Sequence, residues 1–391
     1  MIQDGVGGSP AARAVGGEFT VVGGQGTVRP RSVAGKDGGR YHAPMTVHVG
    51  ILGAGSISDT HARAAESIPG VELVAVCGRD AARAAALAAA HRRARASAPR
   101  AYADVQAFLA HRPMELVLVG TPSGLHAEHG IAAAAQGLHV LMEKPLDIST
   151  ARADALIEAC DAAAVRLGVF FQDRTAPALR WLERLLRREE LGRPVIVSAR
   201  VRWYRPPEYY AGPRFRGRWG LDGGGAVMAQ GIHTLDLLLW LLGDVERVQA
   251  ATRTAVHGIE VEDTAVATLE FAGGAVATFE ATTAAYPGFP RTVELSGTEG
   301  TVVVQGDRIA AVALRRPPTK PPPDVPGALN PSANSPTISD PAGHRAIVAD
   351  FLEAMRTGGR PLCDGREARR SVALVEAIYR AARAGQPVVL A

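Results

Sequence analysis

The sequence predicts an α/β protein in which a parallel sheet of the Rossmann type is followed by an α+β domain with a large, mostly antiparallel open sheet. An apolar stretch at 47–52 runs into the glycine-rich segment 53–58, which is typical of a strand, a tight turn and a helix. Short apolar strands then alternate with helices to about Leu167, and strand-rich sequence follows. Alternating strands and helices form parallel sheets that are covered on both faces.

Length and composition fit two domains. The chain has 391 residues, of which 47% are hydrophobic and 21% charged, so it can bury a large core. Residues 1–44 are rich in glycine and poor in large apolar residues, and we expect a disordered extension there. The dinucleotide-binding domain is predicted at 45–167, and the domain for substrate binding and oligomerisation at 168–391.

The first half alternates strands and helices in order. Short apolar runs predict strands at 47–52, 71–77, 116–119, 139–142 and 169–171. Helical patterns lie at 60–68, 81–91, 126–136 and 150–164. Asp80 and Ser149 are placed to cap the second and fourth of these helices.

The second half begins with a helix at 176–190 and becomes rich in strands. These are predicted at 195–204, 245–254, 264–271, 275–284 and 291–296. The pair Gly273-Gly274 is a hairpin signal between two of them. The proline-rich segment 317–341 predicts a long surface loop, and helices are expected at 344–357 and 367–384.

Charge and cysteine usage exclude several classes of partner. The formal net charge of +4 is small for this length, so we expect solvated helix faces and no nucleic-acid partner. Cys77, Cys160 and Cys363 are far apart, which predicts a cytoplasmic protein without a disulfide framework or a metal site. No segment approaches the apolar length needed to span a bilayer, so no membrane partner is expected.

The first motif predicts a dinucleotide site. Gly53 permits a tight turn and Gly55 lets the backbone approach a phosphate. Ser56 and Ile57 then begin the helix whose N-terminus would carry the pyrophosphate. Ser58 stands at the third position of the fingerprint, where glycine is usual. An ordinary glycine-rich turn explains the motif alone equally well, but the second strand follows at the distance of a βαβ unit.

The second motif, Glu143-Lys144-Pro145, ends the apolar strand at 139–142. Ligands of open α/β sheets bind at the carboxyl ends of strands, so we expect Glu143 and Lys144 to contact the cofactor. Lys144 can also reach a substrate there. Alcohol oxidation needs a base for the hydroxyl proton, and desolvation would bring the pKa of Lys144 toward a useful range. A surface ion pair between Lys144 and Glu143 is the alternative.

The end of the second strand decides the cofactor. NAD binding usually uses an acid there to accept the ribose 2′-hydroxyl, whereas this chain has Gly78 and Arg79. Because an arginine can pair with the 2′-phosphate, NADP is favoured over NAD. Asp80 comes slightly late and either caps the next helix or reaches the ribose.

Together these segments resemble the Gfo/Idh/MocA oxidoreductases, which include glucose–fructose oxidoreductase and inositol dehydrogenase. The resemblance runs from about Met45 to Ala391. It depends on the order and spacing of six segments, at 53–55, 121–128, 143–145, 223–226, 230–236 and 364–368. It implies a Rossmann domain that binds NAD or NADP, and a second domain that holds a sugar or polyol and often mediates oligomers.

The resemblance also implies roles for individual residues. Lys144 matches the lysine of the family and His233 its histidine, so these two are expected to carry proton transfer and substrate orientation. Many members have an acid or amide four residues before that histidine, where this chain has Ala229. This departs from a lysine–aspartate–histidine triad. Asp236 shares a helix face with His233 and either orients it or makes a structural hydrogen bond.

Further contacts are expected around the cleft between the domains. The resemblance makes cofactor contacts of Thr121, Pro122 and His126. Gln172 and Arg174 follow the last strand of the first domain and are candidates for substrate binding. Arg202, Tyr204 and Arg205 are candidates for the opposite wall. A surface role is equally compatible with these last five residues.

The resulting hypothesis is a soluble NAD(P)-dependent oxidoreductase that transfers a hydride between a sugar, polyol or sugar derivative and the nicotinamide. A homo-oligomer, dimer or tetramer, is expected through the C-terminal sheet. Two alternatives stay open. One is a cofactor-binding sensor or subunit without turnover, which only Ala229 supports. The other is a lyase or hydrolase that uses tightly bound NAD in an internal redox cycle.

Overall fold

The computed structural model describes residues 46–92, 98–212, 216–324 and 340–390. The extension expected at 1–44 lies outside these ranges, as does most of the proline-rich segment expected to form a loop at 317–341.

Six parallel strands form the first sheet, in the order β3-β2-β1-β4-β5-β6. They are β1 (Val47–Leu52), β2 (Val71–Cys77), β3 (Arg100–Tyr102), β4 (Leu116–Val119), β5 (His139–Met142) and β6 (Leu167–Val169). The order reverses between β1 and β4. This is the topological switch point at which open α/β sheets bind ligands.

Five helices cover this sheet and confirm the predicted alternation. They are α1 (Ser56–Glu66), α2 (Ala81–Ala90), α3 (Val105–Leu109), α4 (His126–Ala135) and α5 (Thr150–Ala162). Asp80 caps α2 and Ser149 caps α5, each by accepting backbone N–H groups. The sequence did not predict β3 and α3, because a three-residue strand with exposed residues carries no apolar run.

The second sheet has eight strands in the order β13-β12-β11-β7-β10-β9-β8-β14. They are β7 (Pro194–Arg202), β8 (Val245–Arg253), β9 (Thr264–Phe271), β10 (Val276–Thr282), β11 (Thr292–Gly297), β12 (Gly300–Gln305), β13 (Arg308–Leu314) and β14 (Val388–Val389). Neighbours are antiparallel except for β7 and β10. The mostly antiparallel sheet is therefore confirmed, with β12, β13 and β14 added to the predicted strands.

Six further α-helices lie in the described part of the chain. They are α6 (Pro177–Arg187), α7 (Pro207–Ala211), α8 (Trp219–Asp222), α9 (Ile232–Leu242), α10 (Ala342–Thr357) and α11 (Gly365–Ala384). Along β9 every second residue is buried, from Ala265 to Phe271, so one face of the second sheet packs on the core. The apolar helix α9 contributes Leu235 and Leu238 to the same core.

The C-terminal part of the chain returns to the first sheet. Ile347, Val348 and Phe351 of α10 pack in one cluster with Val49 and Ile51 of β1. β6 also crosses the boundary placed between residues 167 and 168. The chain therefore crosses between its two halves more than once, and the region 168–391 supplies part of the first core.

One apolar stretch overturns the expectation that no segment approaches the length needed to span a bilayer. Trp219–Leu242 spans 24 residues and is apolar enough, by length and composition alone, to cross a membrane. About two thirds of its most apolar window is buried in the fold, and its helices are interrupted at Gly223. These features are typical of a helix in the core of a folded domain.

Candidate active site

The glycine turn after β1 has the geometry of a phosphate cradle. Gly53 has φ +122°, and a Cβ atom there would lie 2.5 Å from the carbonyl oxygen of Gly120, so no other residue fits. Above Gly55, in contrast, nothing lies within 4 Å of an added Cβ. Gly55 and Ser56 are exposed at the N-terminus of α1, where the partial positive charge of the helix end favours a phosphate.

Ser58 explains how the turn manages without a third glycine. Its side chain is fully buried, and its hydroxyl accepts a hydrogen bond from the N–H of Gly55 at 3.2 Å. Ile57 lies beneath the neighbouring turn, where a Cβ on Gly120 would come within 3.2 Å of it. The cradle therefore fits the pyrophosphate of NAD or NADP.

The end of β2 carries a basic group and no free acid. A Cβ on Gly78 would lie 2.6 Å from the Cβ of Ala54, so an acidic side chain is sterically excluded at this position. Arg79 is exposed immediately after it. The Asp80 carboxylate accepts the N–H groups of Ala82 and Arg83 at 3.0 and 3.2 Å, and so acts as the helix cap.

In the turn after β4, the contacts of His126 differ from the role predicted for it. Thr121 and Pro122 are half-buried, and the Thr121 hydroxyl is 3.0 Å from Nδ1 of His129. His126 is buried, with Nδ1 2.7 Å from the Pro145 oxygen and Nε2 2.9 Å from the Thr121 oxygen. Burial lowers its pKa. The structure thus replaces the expected cofactor contact of His126 with a structural link between two loops.

Lys144 follows β5 and reaches across to the second half of the chain. Its ammonium donates a hydrogen bond to the carbonyl oxygen of Ala229 at 2.8 Å. Burial lowers the pKa of Lys144, and the negative charges of Glu143 and Asp222 partly oppose this shift. A lysine with a lowered pKa can release and accept a proton nearer neutral pH.

His233 lies at the start of α9, where the charge of Lys144 acts on its imidazole. Burial and the positive charge of Lys144 lower the pKa of His233 to about 4, so it is neutral at physiological pH. Its ring packs edge-on against Phe171, with centroids 5.8 Å apart. The buried Nδ1 atom has no hydrogen-bond partner among the described residues. A neutral imidazole of this kind is suited to a hydrogen bond with a substrate hydroxyl.

Two acids near this pair were not identified from the sequence. Asp222 ends α8, directly before the glycine-rich turn, and accepts the N–H of Gly217 at 2.9 Å. Asp173 forms a close ion pair with Arg291, and its charge raises the pKa of His233. The signal for Asp222 was its position next to Gly223-Gly224-Gly225.

Arg174 does not line the cleft. Its side chain is 1% exposed, and its Nε and Nη2 atoms donate to the two oxygens of Asp236 at 2.8 and 2.7 Å. Asp236 also accepts the hydroxyl of Ser371 at 3.1 Å. The expected substrate contact of Arg174 is therefore corrected to a buried ion pair. Both carboxylate oxygens of Asp236 are bound in this ion pair. Asp236 therefore makes a structural interaction, which was one of its two expected roles.

The other residues predicted to line the cleft differ in their exposure and in their contacts. Gln172 is half-buried against α10. A Cβ atom added to Gly343 of that helix would lie 3.2 Å from the Cβ atom of Gln172. Arg205 is 2% exposed and donates to the Gln230 side chain at 3.2 Å. Arg202 pairs with Glu280, on the neighbouring strand β10, and is more than half exposed. Gln172 remains the candidate for a direct substrate contact.

A buried cluster surrounds the acid of the second motif. Nε2 of His61 is 2.9 Å from Oε1 of Glu143, and Nε2 of His344 is 3.8 Å from the same oxygen. The donor atoms of all three lie within 4.8 Å of one another, and two imidazoles with a carboxylate are a set that binds divalent cations. This cluster could not be predicted from the sequence, because the three residues are far apart in the chain.

Comparisons with known proteins agree with this geometry. Residues 47–171 match the profile of an oxidoreductase family with an NAD-binding Rossmann fold, and residues 179–303 match the GFO/IDH/MocA C-terminal domain. The chain is 30% identical over 347 residues to D-apiose dehydrogenase of Paraburkholderia graminis, covering 87% of this chain and 88% of that protein. It is also 30% identical over 343 residues to D-xylose 1-dehydrogenase (NADP(+)) 2 of Haloferax volcanii, covering 87% and 99%.

A solved structure shares both the fold and a substantial part of the sequence. It is the WlbA dehydrogenase from Bordetella pertussis in complex with NADH and UDP-GlcNAcA. The TM-score is 0.78 at 33% identity, and the match covers 88% of this chain and 99% of that one.

Proposed function

The chain belongs to the Gfo/Idh/MocA family of NAD-binding oxidoreductases, and from that premise we propose that it oxidises a secondary alcohol of a sugar or sugar derivative. The observation that carries this proposal is the half-buried lysine at the end of β5, whose desolvation lowers its pKa. Its charge lowers the pKa of the neutral His233, and β5 belongs to a parallel sheet that has a phosphate cradle at its switch point. The relatives named above act on sugars according to their names.

The side chains have distinct roles in this proposal. Lys144 takes the proton of the substrate hydroxyl, because burial disfavours its charged form. His233 stays neutral and holds the same hydroxyl by a hydrogen bond with its imidazole. A bound NAD or NADP would supply the acceptor for the hydride that leaves the carbon bearing this hydroxyl. Ala229 contributes its carbonyl oxygen, which fixes the lysine ammonium at 2.8 Å.

The proposal extends to a preference for NADP over NAD. Three features of the β2 end support it: the excluded side chain at Gly78, the exposed Arg79, and the use of Asp80 as a helix cap. No carboxylate is then free at the usual position to accept a ribose 2′-hydroxyl or to repel a 2′-phosphate. One relative is named for NADP, whereas the WlbA structure holds NADH.

We further propose a cytoplasmic homo-oligomer, dimer or tetramer, that binds neither nucleic acid nor membrane. Support for the location comes from Cys77, Cys160 and Cys363, which are all free thiols. Support for self-association comes from the outer face of the second sheet. Ile196, Val266 and Val276 are each between 48% and 53% exposed there.

A substrate screen tests the proposed activity. The purified protein is mixed with NADP or NAD and with D-apiose, D-xylose, inositol or UDP-GlcNAcA, and formation of reduced nicotinamide is followed by absorbance. Net reduction with one of these classes supports a dehydrogenase. Tight cofactor binding without reduction by any of them supports a sensor or subunit. Conversion of a sugar without net reduction supports an internal redox cycle.

A further inference from the structure

The buried cluster of His61, Glu143 and His344 holds the peptide that carries Lys144. One carboxylate oxygen of Glu143 faces the two imidazoles, at 2.9 and 3.8 Å. The other oxygen accepts the backbone N–H of Lys144 at 3.1 Å. The carboxylate therefore lies between the two histidines and the main chain of the proposed proton-transfer residue.

The rings of the cluster are locked by packing. The His61 ring stacks on Phe170, with centroids 4.4 Å apart and an interplanar angle of 12°. The His344 ring lies tilted against both, at 5.8 Å from His61 and 5.4 Å from Phe170. His61 is fully buried and His344 is 2% exposed. Neither ring can turn away from Glu143 without disturbing this stack.

The cluster keeps Glu143 charged in a place where burial alone would favour its neutral form. Although burial opposes the shift, His344 and His61 hold the pKa of Glu143 well below its ordinary value. A charged carboxylate is the stronger acceptor for the Lys144 N–H. Its negative charge is also the largest one that raises the pKa of Lys144.

His344 comes from the far end of the chain. It lies in the first turn of α10, whose residues Ile347, Val348 and Phe351 pack on the first sheet. The sequence predicted this helix but no role for it. Its position brings the C-terminal segment to within 3.8 Å of the motif at the end of β5.

We propose that His344 is a positioning residue for the reaction: it orients the Glu143 carboxylate, which in turn fixes the Lys144 backbone and the reach of its side chain to Ala229. The inference rests on the role proposed for Lys144. It predicts that loss of His344 disturbs the reactivity of the lysine more than it disturbs the fold or the cofactor cradle, which is formed by the separate turn at 53–58.

The test compares three variants. His344→Ala removes the imidazole, and His344→Gln keeps an N–H donor at nearly the same distance from the main chain. His91→Gln is the matched control, because His91 is also a largely buried histidine next to acids: its ring nitrogens lie 2.9 and 3.1 Å from the carboxylates of Glu66 and Asp59. His91 follows α2 and contacts these two acids on α1, neither of which contacts Lys144.

We expect His344→Ala to lower kcat about 10- to 100-fold, the size of effect that a small misplacement of a reacting group produces. The Kd of NADPH and the melting temperature should change no more than in His91→Gln. His344→Gln should recover most of kcat. The inference is overturned if kcat is unchanged in His344→Ala, if His344→Gln recovers nothing, or if kcat falls only in parallel with the melting temperature.

Two further readouts separate this inference from the proposed function. The rate at which an amine-reactive ester labels Lys144, read by mass spectrometry, needs no substrate and should rise severalfold in His344→Ala, since the lysine loses its fixed contact. Equal labelling rates would contradict the inference even if the activity is real. The wild type should also keep full activity after dialysis against a chelator. Loss of activity there would assign the cluster to a metal ion instead.

Discussion

At the scale of single residues, burial decides which of the expected side chains are available for chemistry. Lys144 and His233 are far apart in the sequence, yet the charge of one is the strongest charge effect on the pKa of the other. The sequence also predicted that His126 contacts the cofactor and that Arg174 contacts the substrate. Both side chains are instead buried against structural partners. A one-dimensional pattern shows the residue type and its position on an element. It does not show which tertiary partner will occupy the side chain.

Asp222 supplies a negative charge near Lys144 where Ala229 cannot. Glu143, Asp222, Arg205 and Asp173 are the charged groups that act on Lys144, and Asp222 raises its pKa. Replacing Asp222 with asparagine keeps an acceptor for the Gly217 N–H. The pH at which the lysine loses its proton should then fall, so the pH profile of kcat/KM for oxidation should move to lower pH.

Ala229→Asp is the opposite variant, because it adds an acid next to the same ammonium, and its profile should move to higher pH. Glu353→Gln, which removes an exposed acid paired with Arg356, controls for the change in net charge. Identical profiles in all three variants would show that Asp222 does not act on Lys144.

Arg79 is predicted to set the cofactor preference. A charge-assisted hydrogen bond to the 2′-phosphate is worth ~1.5–3 kcal/mol, which corresponds to a roughly 10- to 100-fold preference for NADP. Arg79→Ala should remove most of that preference and leave the Kd of NAD nearly unchanged, as measured by direct titration. Arg83→Ala is the control, since Arg83 is an exposed arginine of the same helix region that pairs with Asp80 at 3.4 Å. Tighter binding of NAD than NADP by the wild type would refute the assignment.

At the scale of elements, apolar periodicity was sufficient for most of the fold and failed where strands are short or exposed. β2, β4, β5 and β9 begin and end at the predicted residues. β12 and β13 lie near the edge of the second sheet, and the alternation between buried and exposed residues along them is weaker than in β9. The return of α10 to the first sheet could not be predicted either. No local pattern states which of two sheets a C-terminal helix will cover.

The buried pair of Arg174 and Asp236 holds three elements together. It joins the segment after β6 to α9, and Ser371 of α11 binds the same carboxylate. Arg174→Ala leaves an unpaired buried charge, so we expect a loss of about 3–5 kcal/mol in the free energy of unfolding, measured by denaturant titration.

The double variant Arg174→Met, Asp236→Leu removes both charges and should be clearly more stable than Arg174→Ala. Arg369→Ala is the matched control, because its pair with Asp154 is about 40% exposed and should contribute only ~0–1 kcal/mol. A loss in Arg174→Ala no larger than in this control would contradict the structural assignment of the pair.

At the scale of the whole molecule, the second sheet has one face on the core and the other toward solvent. The apolar residues of the outer face lie on neighbouring strands, with Ile196 of β7 paired to Val276 of β10. Ile196→Glu should therefore lower the oligomeric state, measured by sedimentation velocity. Val256→Glu, in a loop outside the sheet and 69% exposed, should not change it. A monomeric wild type, or an unchanged assembly in Ile196→Glu, would remove the proposed interface.

The central claim is that Lys144 moves the substrate proton, and the pH dependence of kcat/KM for sugar oxidation tests it most directly. In the wild type the rate should rise with pH as Lys144 loses its proton, with a midpoint below the ordinary lysine value of 10.5, because burial lowers that pKa. Lys144→Ala should keep the melting temperature and weaken cofactor binding only modestly. It should lose about 100-fold or more in kcat/KM and no longer show this rise. Near-normal turnover of Lys144→Ala, with the same rise at the same pH, would contradict the claim.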